Sequence, residues 1–369
     1  MSAQDIPLVD LGLQRDQVAD EVERGWSEVL ACGAYVGGPQ VTAFEQEYAA
    51  LLGVEHCIGV ANGTDALELA LRACGIGAGD EVVLPANTFV ATAEAVVRAG
   101  AVPVLADVDK DCLLLDPESV ASVVGPATRA VVPVHLFGQT APVEQLEELV
   151  AVHGLVVVED AAQSQGALRH GRPAGSLGVA SATSFYPGKN LGAYGDAGAV
   201  MTNDAEVARR VRMLGNHGSP AKYQHVELGF NSRMDTLQAV VLRAKLARLA
   251  DWNAQRRAAA EHYDSLLGDL PEVRLPARLP GNVDVWHLYV VRVPDRDVVL
   301  RCLNAAGVGA GIHYPVPVHL QPAFRSLGGP GAFPIAETAA QEILSLPLYP
   351  GITAQQQERV VDALRSALS

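Results

Sequence analysis

The stretch LVVVEDAA, residues 155–162, is a run of aliphatic side chains followed by two carboxylates, Glu159 and Asp160. A continuous Leu/Val run of this length is typical of a strand that is buried on both faces, as in a parallel sheet. Ligands of open α/β sheets bind at the carboxyl ends of the parallel strands. Asp160 is therefore a candidate functional carboxylate, with a cap on a following helix as the alternative role.

Upstream of this stretch, short apolar runs alternate with amphipathic segments. The apolar runs are CIGVA (57–61), EVVLPA (81–86), VPVLADV (102–108) and RAVVPVHLFG (129–138). The segments between and after them, TDALELALRAC, FVATAEAVVRAG and PVEQLEELVAVHG, have helical periodicity. This alternation predicts an α/β fold in which helices cover both faces of a parallel sheet.

The second part of the chain is predicted to form a separate lobe. Residues 235–267 have continuous helical periodicity, which indicates one long helix. A smaller α/β unit follows, with a predicted strand WHLYVVRV (286–293), a helix near 295–306 and a terminal helix. The sequence therefore predicts a large domain over residues 1–250 and a small C-terminal domain over residues 251–369.

Charge and composition exclude several classes of function. The 369 residues include 27 Lys and Arg against 42 Asp and Glu, a net charge of −15, which disfavours binding to nucleic acid or to an anionic membrane. No apolar run has the length of a membrane span, and the start MSAQDIPLVDLG lacks the parts of a signal peptide, so a cytoplasmic protein is predicted. The five cysteines are scattered without a CxxC pair, which indicates neither a metal site nor a disulfide framework.

The stretch SFYPGKNLGAYGDAGAV, residues 184–200, holds one lysine, Lys189, among small and aromatic residues. A lysine in a glycine-rich loop is commonly exposed to solvent. Lys189, however, comes 29 residues after Asp160 and just after another short strand, SATSFY, so one crossover brings the two side chains face to face. A desolvated lysine has a lowered pKa and forms an imine with an aldehyde. The sequence GKN lacks the rest of a P-loop, so an NTPase is not indicated.

An anion site is predicted where Asn62, Gly63 and Thr64 lie between a strand and a helix. Backbone N–H groups at a helix N-terminus bind anions, and the Thr64 hydroxyl adds a donor. Ser184 offers a second hydroxyl for the same anion. The alternative role of Thr64 is that of a helix cap, which uses the same geometry.

Seven motifs occur in one order along the chain. They are NGTDALELAL, PANTFVATAEAV, VEDAAQSQGA, SFYPGKNLGAYGDAGAV, NHG, GFNSRMDTLQAVVL and IHYPVPVHLQPAF. Together they resemble the DegT/DnrJ/EryC1/StrS family of pyridoxal-phosphate-dependent aminotransferases, most of which act on nucleotide-linked keto sugars. The resemblance extends from about Ile6 to Leu368. It implies an aspartate-aminotransferase-like fold (fold type I), with a large, mostly parallel sheet of seven strands and a smaller C-terminal α/β domain.

The resemblance also implies a role for each matching residue. Lys189 is implied to bind pyridoxal 5'-phosphate as a Schiff base, and Asp160 to pair with the pyridine nitrogen. The other implied cofactor contacts are Gly63, Thr64 and Ser184 at the phosphate, Gln163 at the phenolic oxygen, Phe89 on the ring face and Asn231 at the phosphate of a neighbouring subunit. The Asn231 contact implies a homodimer with shared active sites. Phe89 takes the place of a Trp in some members, and a core position is its alternative role.

Four further residues are expected to face the substrate. Lys222 and Arg233, in the stretch HGSPAKYQHVELGFNSR (217–233), are candidate donors to a diphosphate because they are cations in an otherwise acidic protein, with a solvated surface cation as the alternative role for each. His313 and Tyr314 resemble the substrate-facing loop of the family, which neighbouring prolines stiffen.

The resulting hypothesis is a pyridoxal-phosphate aminotransferase that moves the amino group of L-glutamate to a keto group of a dTDP-linked keto-6-deoxyhexose in antibiotic-type biosynthesis. FYPGKNLGAYGDAGA is more similar to members that aminate C3 than to C4 enzymes, many of which are closer to HPVKNITTGEGG, so C3 is preferred. One alternative is an aminotransferase for a non-nucleotide cyclic ketone of the inosose type. Another is a cofactor-binding regulatory protein without turnover, against which Lys189 argues.

Overall fold

The computed structural model describes residues 5–369, with helices and strands alternating along most of the chain. The helices are α1 (Leu11–Asp16), α2 (Ala19–Cys32), α3 (Pro39–Leu52), α4 (Gly63–Ala73), α5 (Val90–Ala99), α6 (Pro117–Val123), α7 (Glu147–His153), α8 (Ala205–Gly215), α9 (Thr236–Leu246), α10 (Leu249–Leu267), α11 (Arg296–Ala305), α12 (Pro334–Glu342) and α13 (Ala354–Leu368). The strands are β1 (His56–Val60), β2 (Glu81–Pro85), β3 (Val102–Ala106), β4 (Thr128–Val131), β5 (Val156–Asp160), β6 (Leu168–Arg169), β7 (Arg172–Pro173), β8 (Ala180–Ser184), β9 (Gly198–Thr202), β10 (Asn282–Val283), β11 (Tyr289–Arg292) and β12 (Ile343–Leu346). No helix within the described residues combines the length and the apolar character that crossing a membrane requires.

Seven strands form the large sheet, in the order β1-β9-β8-β5-β4-β2-β3. The pairs from β8 to β3 are parallel, whereas β9 runs antiparallel to both of its neighbours, β1 and β8. The predicted α/β fold with a mostly parallel seven-stranded sheet is confirmed. Because β5 and β8 pair in parallel, with Asp160 opposite Ala182, their carboxyl ends share one edge of the sheet.

Helices cover both faces of this sheet because its strands are apolar on both sides. Along β2, Val82 and Leu84 belong to the core formed with α4, α5 and α8, and Val83 belongs to the core formed with α6. All three side chains are fully buried. The alternation follows from the two-residue repeat of a strand.

The segment predicted as one helix over residues 235–267 forms two helices, α9 and α10, separated by Ala247 and Arg248. No proline or glycine interrupts the sequence there. α9 buries Leu242 in a core of the large sheet, whereas α10 buries Tyr263 in a second core. The helix breaks because its two halves pack against different cores, which local periodicity does not reveal.

The second hydrophobic core lies against the two-stranded antiparallel sheet of β11 and β12. Residues of α10, α11 and α13 fill it, together with Ile6 near the start of the described chain. α13 begins after Thr353, which forms a capping box with Gln356. Of the predicted strand 286–293, only Tyr289–Arg292 pairs with a neighbour. Residues 284–288, before it, are irregular, and His287 and Leu288 among them line the site.

Candidate active site

A cavity of about 550 Å³ opens at the carboxyl edge of the large sheet, where β5 and β8 end and α4 and α5 begin. Most of the residues that the sequence indicates line it. They are Gly63, Thr64, Phe89, Asp160, Gln163, Ser184, Lys189, His313 and Tyr314. The fold thus brings two strand ends, two helix N-termini and the loop at residues 313–314 around one space.

Asp160 is the last residue of β5, and two hydrogen bonds fix its carboxylate at the cavity wall. The Thr92 hydroxyl on α5 donates to Oδ2 at 2.8 Å, and the Ala162 N–H donates to Oδ1 at 3.1 Å. Residues 161–167 form turns rather than a helix. The alternative role of Asp160 as a helix cap is therefore wrong.

The neighbouring carboxylate, Glu159, is fully buried and has a structural role. It accepts hydrogen bonds of 2.7–2.8 Å from three backbone N–H groups of the loop at residues 175–178. Its Oε2 also lies 2.8 Å from His135 Nε2. Successive strand side chains point to opposite faces, which is why Glu159 anchors a loop while Asp160 reaches the cavity.

Lys189 lies on the turn after β8, where its backbone N–H donates to the Tyr186 carbonyl at 2.8 Å. Burial lowers the pKa of Lys189 to about 8, although the Asp160 carboxylate acts in the opposite direction. At neutral pH a pKa near 8 leaves roughly a tenth of the amine neutral. Lys189 is therefore a candidate nucleophile in the same cavity as the fixed carboxylate of Asp160.

The N-terminus of α4 lies in close contact with the end of β8. A Cβ on Gly63 would lie 2.5 Å from Ser184 Cβ, so only glycine fits there. The Asn62 side chain caps α4 by accepting from the Asp65 N–H at 2.8 Å, and the cap alternative for Thr64 is therefore wrong. The N–H groups of Gly63 and Thr64 occupy the first two helical positions, which have no intrahelical acceptor. With the hydroxyls of Thr64 and Ser184, they form a donor set for a small anion.

Phe89, Gln163 and Tyr314 form a second part of the wall. Phe89 is 49% exposed and its ring centre lies 5.2 Å from that of Tyr314, so the core alternative for Phe89 is wrong. Gln163 accepts from the Phe137 N–H at 2.7 Å and donates to the Tyr314 hydroxyl at 3.2 Å. Burial, reinforced by the charge of Asp160, raises the pKa of Tyr314. The Tyr314 hydroxyl therefore keeps its proton at physiological pH.

Two imidazoles also line the cavity, and both are neutral at physiological pH. His313 Nδ1 lies 2.8 Å from the Ser345 hydroxyl. Burial and then the charge of Lys189 lower the pKa of His313 to about 4. Burial, followed by the charges of Lys189, Arg256 and His313, lowers the pKa of His287 well below its usual value.

Sequence reasoning missed three residues of the site. Thr92 comes four residues after Thr88, inside the motif PANTFVATAEAV, and the two hydroxyls lie 2.8 Å apart where the chain enters α5. His287 falls in a segment predicted as a strand, and Asn190 is marked only by its position after Lys189. The contacts that give the last two residues a role come from elements distant in the chain.

Asn231, Arg233 and Lys222 lie outside this cavity. Arg233 Nη2 donates to Asn231 Oδ1 at 2.9 Å, and both side chains are exposed beside a neighbouring cavity of about 320 Å³. Asp196 lines both cavities. Lys222 is exposed, with its amine 5.1 Å from the centre of the Tyr223 ring. The contacts implied for these three residues stay predictions.

The sequence matches the model of the DegT/DnrJ/EryC1/StrS aminotransferase family over residues 16–365. The chain belongs to this family. The "dTDP-3-amino-3,4,6-trideoxy-alpha-D-glucose transaminase" of Streptomyces venezuelae is 46% identical, over 98% of this chain and 95% of its own. The "Erythromycin biosynthesis sensory transduction protein EryC1" of Saccharopolyspora erythraea is 46% identical, over 98% of this chain and 99% of its own. A crystal structure of "S. venezuelae DesV in complex with ketimine intermediate" is similar with a TM-score of 0.96, at 46% identity over 99% of this chain and 98% of that one.

As a DegT/DnrJ/EryC1/StrS aminotransferase, the protein is an enzyme with pyridoxal 5'-phosphate as its cofactor. The cavity fits this group on three counts. The donor set at Gly63, Thr64 and Ser184 suits a phosphate, because it combines free backbone N–H groups with hydroxyls. Phe89 offers an exposed ring face, and Lys189 and Asp160 offer an amine and a carboxylate to the two ends of a pyridine aldehyde.

Proposed function

We propose that this aminotransferase moves the amino group of L-glutamate to the C3 keto group of a dTDP-linked keto-6-deoxyhexose, in the cytoplasm, as a step of antibiotic-type amino-sugar biosynthesis. One observation carries the aminotransfer: Lys189, with its pKa lowered to about 8, shares a cavity with the fixed carboxylate of Asp160. The sugar nucleotide is supported by the S. venezuelae relative, whose name specifies a dTDP-linked sugar.

Each residue of the cavity has a defined part in this proposal. When bound, the cofactor supplies a ring that accepts electrons from the substrate carbon. Asp160, held by Thr92, keeps a proton at the ring nitrogen. Lys189 holds the cofactor and, when its amine is free, moves a proton at the substrate carbon, a task suited to a pKa near the working pH. Gly63 and Thr64 hold the phosphate through their N–H groups.

Amination at C3 rather than C4 rests on two observations. The motif FYPGKNLGAYGDAGA resembles members that aminate C3. The S. venezuelae relative, 46% identical over nearly the full length of both chains, is named for a 3-amino sugar. Amination at C3 and amination at C4 differ in which ring carbon of the sugar lies next to the amino group that is transferred. The same cavity would hold the sugar in either of two flipped orientations, one for each carbon.

The proposal includes a homodimer with shared active sites. The segment around residues 223–228 exposes unusually large apolar side chains, with Leu228 at 95% and Tyr223 at 84% exposure, and such side chains favour a protein interface. Asn231 and Arg233 follow directly in the chain and lie beside the second cavity. A second copy of the chain would cover these apolar side chains. The cofactor site of that second copy would then lie next to Asn231 and Arg233 of the first.

The reverse reaction tests the acceptor. Purified enzyme is incubated with 2-oxoglutarate and either dTDP-3-amino-3,6-dideoxyglucose or dTDP-4-amino-4,6-dideoxyglucose, and glutamate formation is measured. Conversion of the 3-amino compound supports the proposal. Conversion of the 4-amino compound alone overturns the choice of C3, and conversion of neither overturns the dTDP-sugar acceptor and leaves ketones of the inosose type.

The name of the S. erythraea relative, a sensory transduction protein, favours regulation without turnover as a second candidate. The half-reaction with L-glutamate separates the two. An aminotransferase loses the visible absorption of its bound aldehyde cofactor and releases one equivalent of 2-oxoglutarate per site. An unchanged spectrum with glutamate and with other amino donors would establish the regulatory candidate.

A further inference from the structure

The backbone before β11 is held in an unusual conformation beside the cavity. Trp286 has a φ of 49°, a left-handed value that is rare for a bulky side chain. The buried guanidinium of Arg256 donates from Nη1 to the carbonyl oxygens of Trp286 at 3.1 Å and Leu348 at 3.0 Å. Gly138 approaches so closely that a Cβ on it would lie 2.6 Å from the backbone nitrogen of His287. These contacts fix the position of His287, which lines the cavity.

A chain of buried amides fixes the His287 ring as well. Asn190 Nδ2 donates to the Val285 carbonyl at 2.9 Å and to Asn253 Oδ1 at 3.0 Å. Asn253 Nδ2 in turn donates to the Gln165 carbonyl at 2.9 Å. Carbonyl oxygens only accept, so these two bonds determine which amide atom of each asparagine is nitrogen.

The tautomer of His287 follows from this orientation. Asn190 turns its oxygen, Oδ1, toward His287 Nδ1 at 3.1 Å, and an amide oxygen is an acceptor. The hydrogen of this bond therefore sits on Nδ1. A neutral imidazole with a protonated Nδ1 has a free lone pair on Nε2. Among residues 5–369, none donates a hydrogen bond to Nε2, and this atom is not sealed in the interior.

We propose that His287 is a specificity residue whose Nε2 accepts a hydrogen bond from a sugar hydroxyl next to the reacting carbon, and that Asn190 is the positioning residue that sets its tautomer. The inference rests on the proposed function, since it concerns the sugar acceptor. A neutral acceptor selects a hydroxyl, which donates, over a carboxylate, which does not. His287 would thereby distinguish the hydroxylated ketone from the amino donor that occupies the same cavity in the other half of the cycle.

The tautomer is tested by nitrogen NMR of the holoenzyme labelled with ¹⁵N-histidine. The signal of His287 is assigned by its loss in His287→Asn. We expect Nδ1 to be protonated and Nε2 to be of the unprotonated type at neutral pH, and Asn190→Ala to give a mixture of both tautomers. A proton on Nε2 in the unchanged protein overturns the inference, whatever the reaction catalysed.

The hydroxyl contact is tested by binding, with two matched variants. An Asn side chain at position 287 places its amide near the position of Nδ1 and keeps the tie to Asn190, whereas Gln places an amide oxygen near the position of Nε2. The probes are dTDP-6-deoxyglucose, which has no amino group to transfer, and its 2-deoxy and 4-deoxy analogues. Calorimetry of the holoenzyme measures their affinities.

The expected result is a selective loss. His287→Asn should weaken binding of dTDP-6-deoxyglucose about 10-fold, the usual effect of one neutral hydrogen bond. The affinity for the deoxy analogue that lacks the contacted hydroxyl should change by no more than about twofold. His287→Gln should recover part of the loss. An equal loss for all three probes overturns the inference and leaves the proposed function intact. No binding of any probe to the unchanged enzyme overturns both.

Discussion

At the scale of the residue, two lysines of this protein share a lowered pKa but differ in their surroundings. Burial lowers the pKa of both Lys189 and Lys245 to about 8. The Lys245 amine donates to the Gly192 carbonyl at 2.7 Å and lies 4.5 Å from the centre of the Tyr194 ring, so it is held in the interior. Lys189 lines the cavity and faces Asp160. A lowered pKa alone therefore does not distinguish the two lysines, whereas the position of Lys189 in the cavity is what supports its proposed role as the cofactor lysine.

Reduction of the holoenzyme with borohydride is expected to fix the cofactor covalently to Lys189 and not to Lys245. Peptide mapping by mass spectrometry locates the label. Lys189→Ala should abolish turnover and the label, because no other amine lines the cavity among the described residues. A pyridoxyl group found on any other lysine would contradict the assignment.

Replacement of Asp160 by Asn is expected to lower kcat by about 10²–10³-fold with the cofactor still bound, because a preorganised charge at the reacting ring is lost. Thr92→Val should lower kcat by about 10-fold, since its hydroxyl orients the carboxylate at 2.8 Å. Thr88→Val should have a smaller effect, because the Thr88 hydroxyl contacts Thr92 at 2.8 Å and reaches Asp160 only through it. A near-normal kcat for Asp160→Asn would remove this residue from the mechanism.

The pKa of Lys189 also predicts how pH affects cofactor loading. The pKa is lowered from 10.5 to about 8, so the reactive neutral amine is present above about pH 8 and is lost as the pH falls through that value. The rate of covalent cofactor attachment to the cofactor-free protein should rise tenfold per pH unit below about 8 and level off above it. Stopped-flow absorbance measures this rate.

The Asp160→Asn variant gives this experiment its control. The negative charge of Asp160 raises the pKa of Lys189, so its removal should shift the midpoint to a lower pH and speed attachment near pH 7. The slower turnover and the faster loading of one variant are then separate effects of the same charge. A midpoint that stays in place would show that Asp160 does not act on Lys189.

At the scale of the element, the site depends on the junction between β1 and α4. The helix begins at Gly63, whose α-carbon faces Ser184 at the end of β8 so closely that a Cβ would lie 2.5 Å from Ser184 Cβ. The close contact sets the free N–H groups of the helix beside the Ser184 hydroxyl. The proposed anion site therefore depends on helix-to-strand packing and not on the loop sequence alone.

Gly63→Ala is expected to destabilise the cofactor-free protein by about 1–3 kcal/mol through overpacking, and to weaken cofactor binding at least tenfold. Gly77→Ala is the matched control, because the nearest atom to a Cβ there is 3.9 Å away and lies outside the cavity. Denaturant unfolding and equilibrium dialysis against the cofactor measure the two effects. If both variants behave alike, the close contact at Gly63 has no part in binding.

At the scale of the whole molecule, the homodimer proposal predicts complementation between inactive subunits. Lys189→Ala lacks the amine of its own cavity, and Asn231→Ala lacks a residue proposed to serve the other cavity. When the two variants are mixed and allowed to exchange subunits, one of the two sites in each heterodimer should be active. Half of the dimers are mixed under random exchange, so the measured rate should rise with time to about a quarter of normal.

Leu228→Glu, which places a charge on the exposed apolar segment, should yield monomers in sedimentation. A fully active monomer would contradict the proposal.

The sequence by itself determined the predicted sheet and marked the residues that are proposed for the main chemistry of the site. Apolar runs between helical segments predicted the mostly parallel sheet, because strands covered on both faces must be apolar on both sides. The positions of Asp160 and Lys189 at the ends of two such runs predicted their meeting, because parallel neighbours end at one edge of a sheet. Gly63 and Thr64 were marked by the junction of a strand and a helix.

Only the tertiary structure decided the contacts that no local pattern encodes. The break between α9 and α10, the close approach of Gly63 to Ser184 and the bond from Thr92 to Asp160 all depend on which elements pack together. His287 is the clearest case: Asn190 and Arg256 bring it to the cavity from distant parts of the chain. The physical reason is that periodicity and turn chemistry predict only whether a residue is buried and which way it points within its own helix or strand. The partner of a buried polar group depends instead on how whole helices and strands pack together.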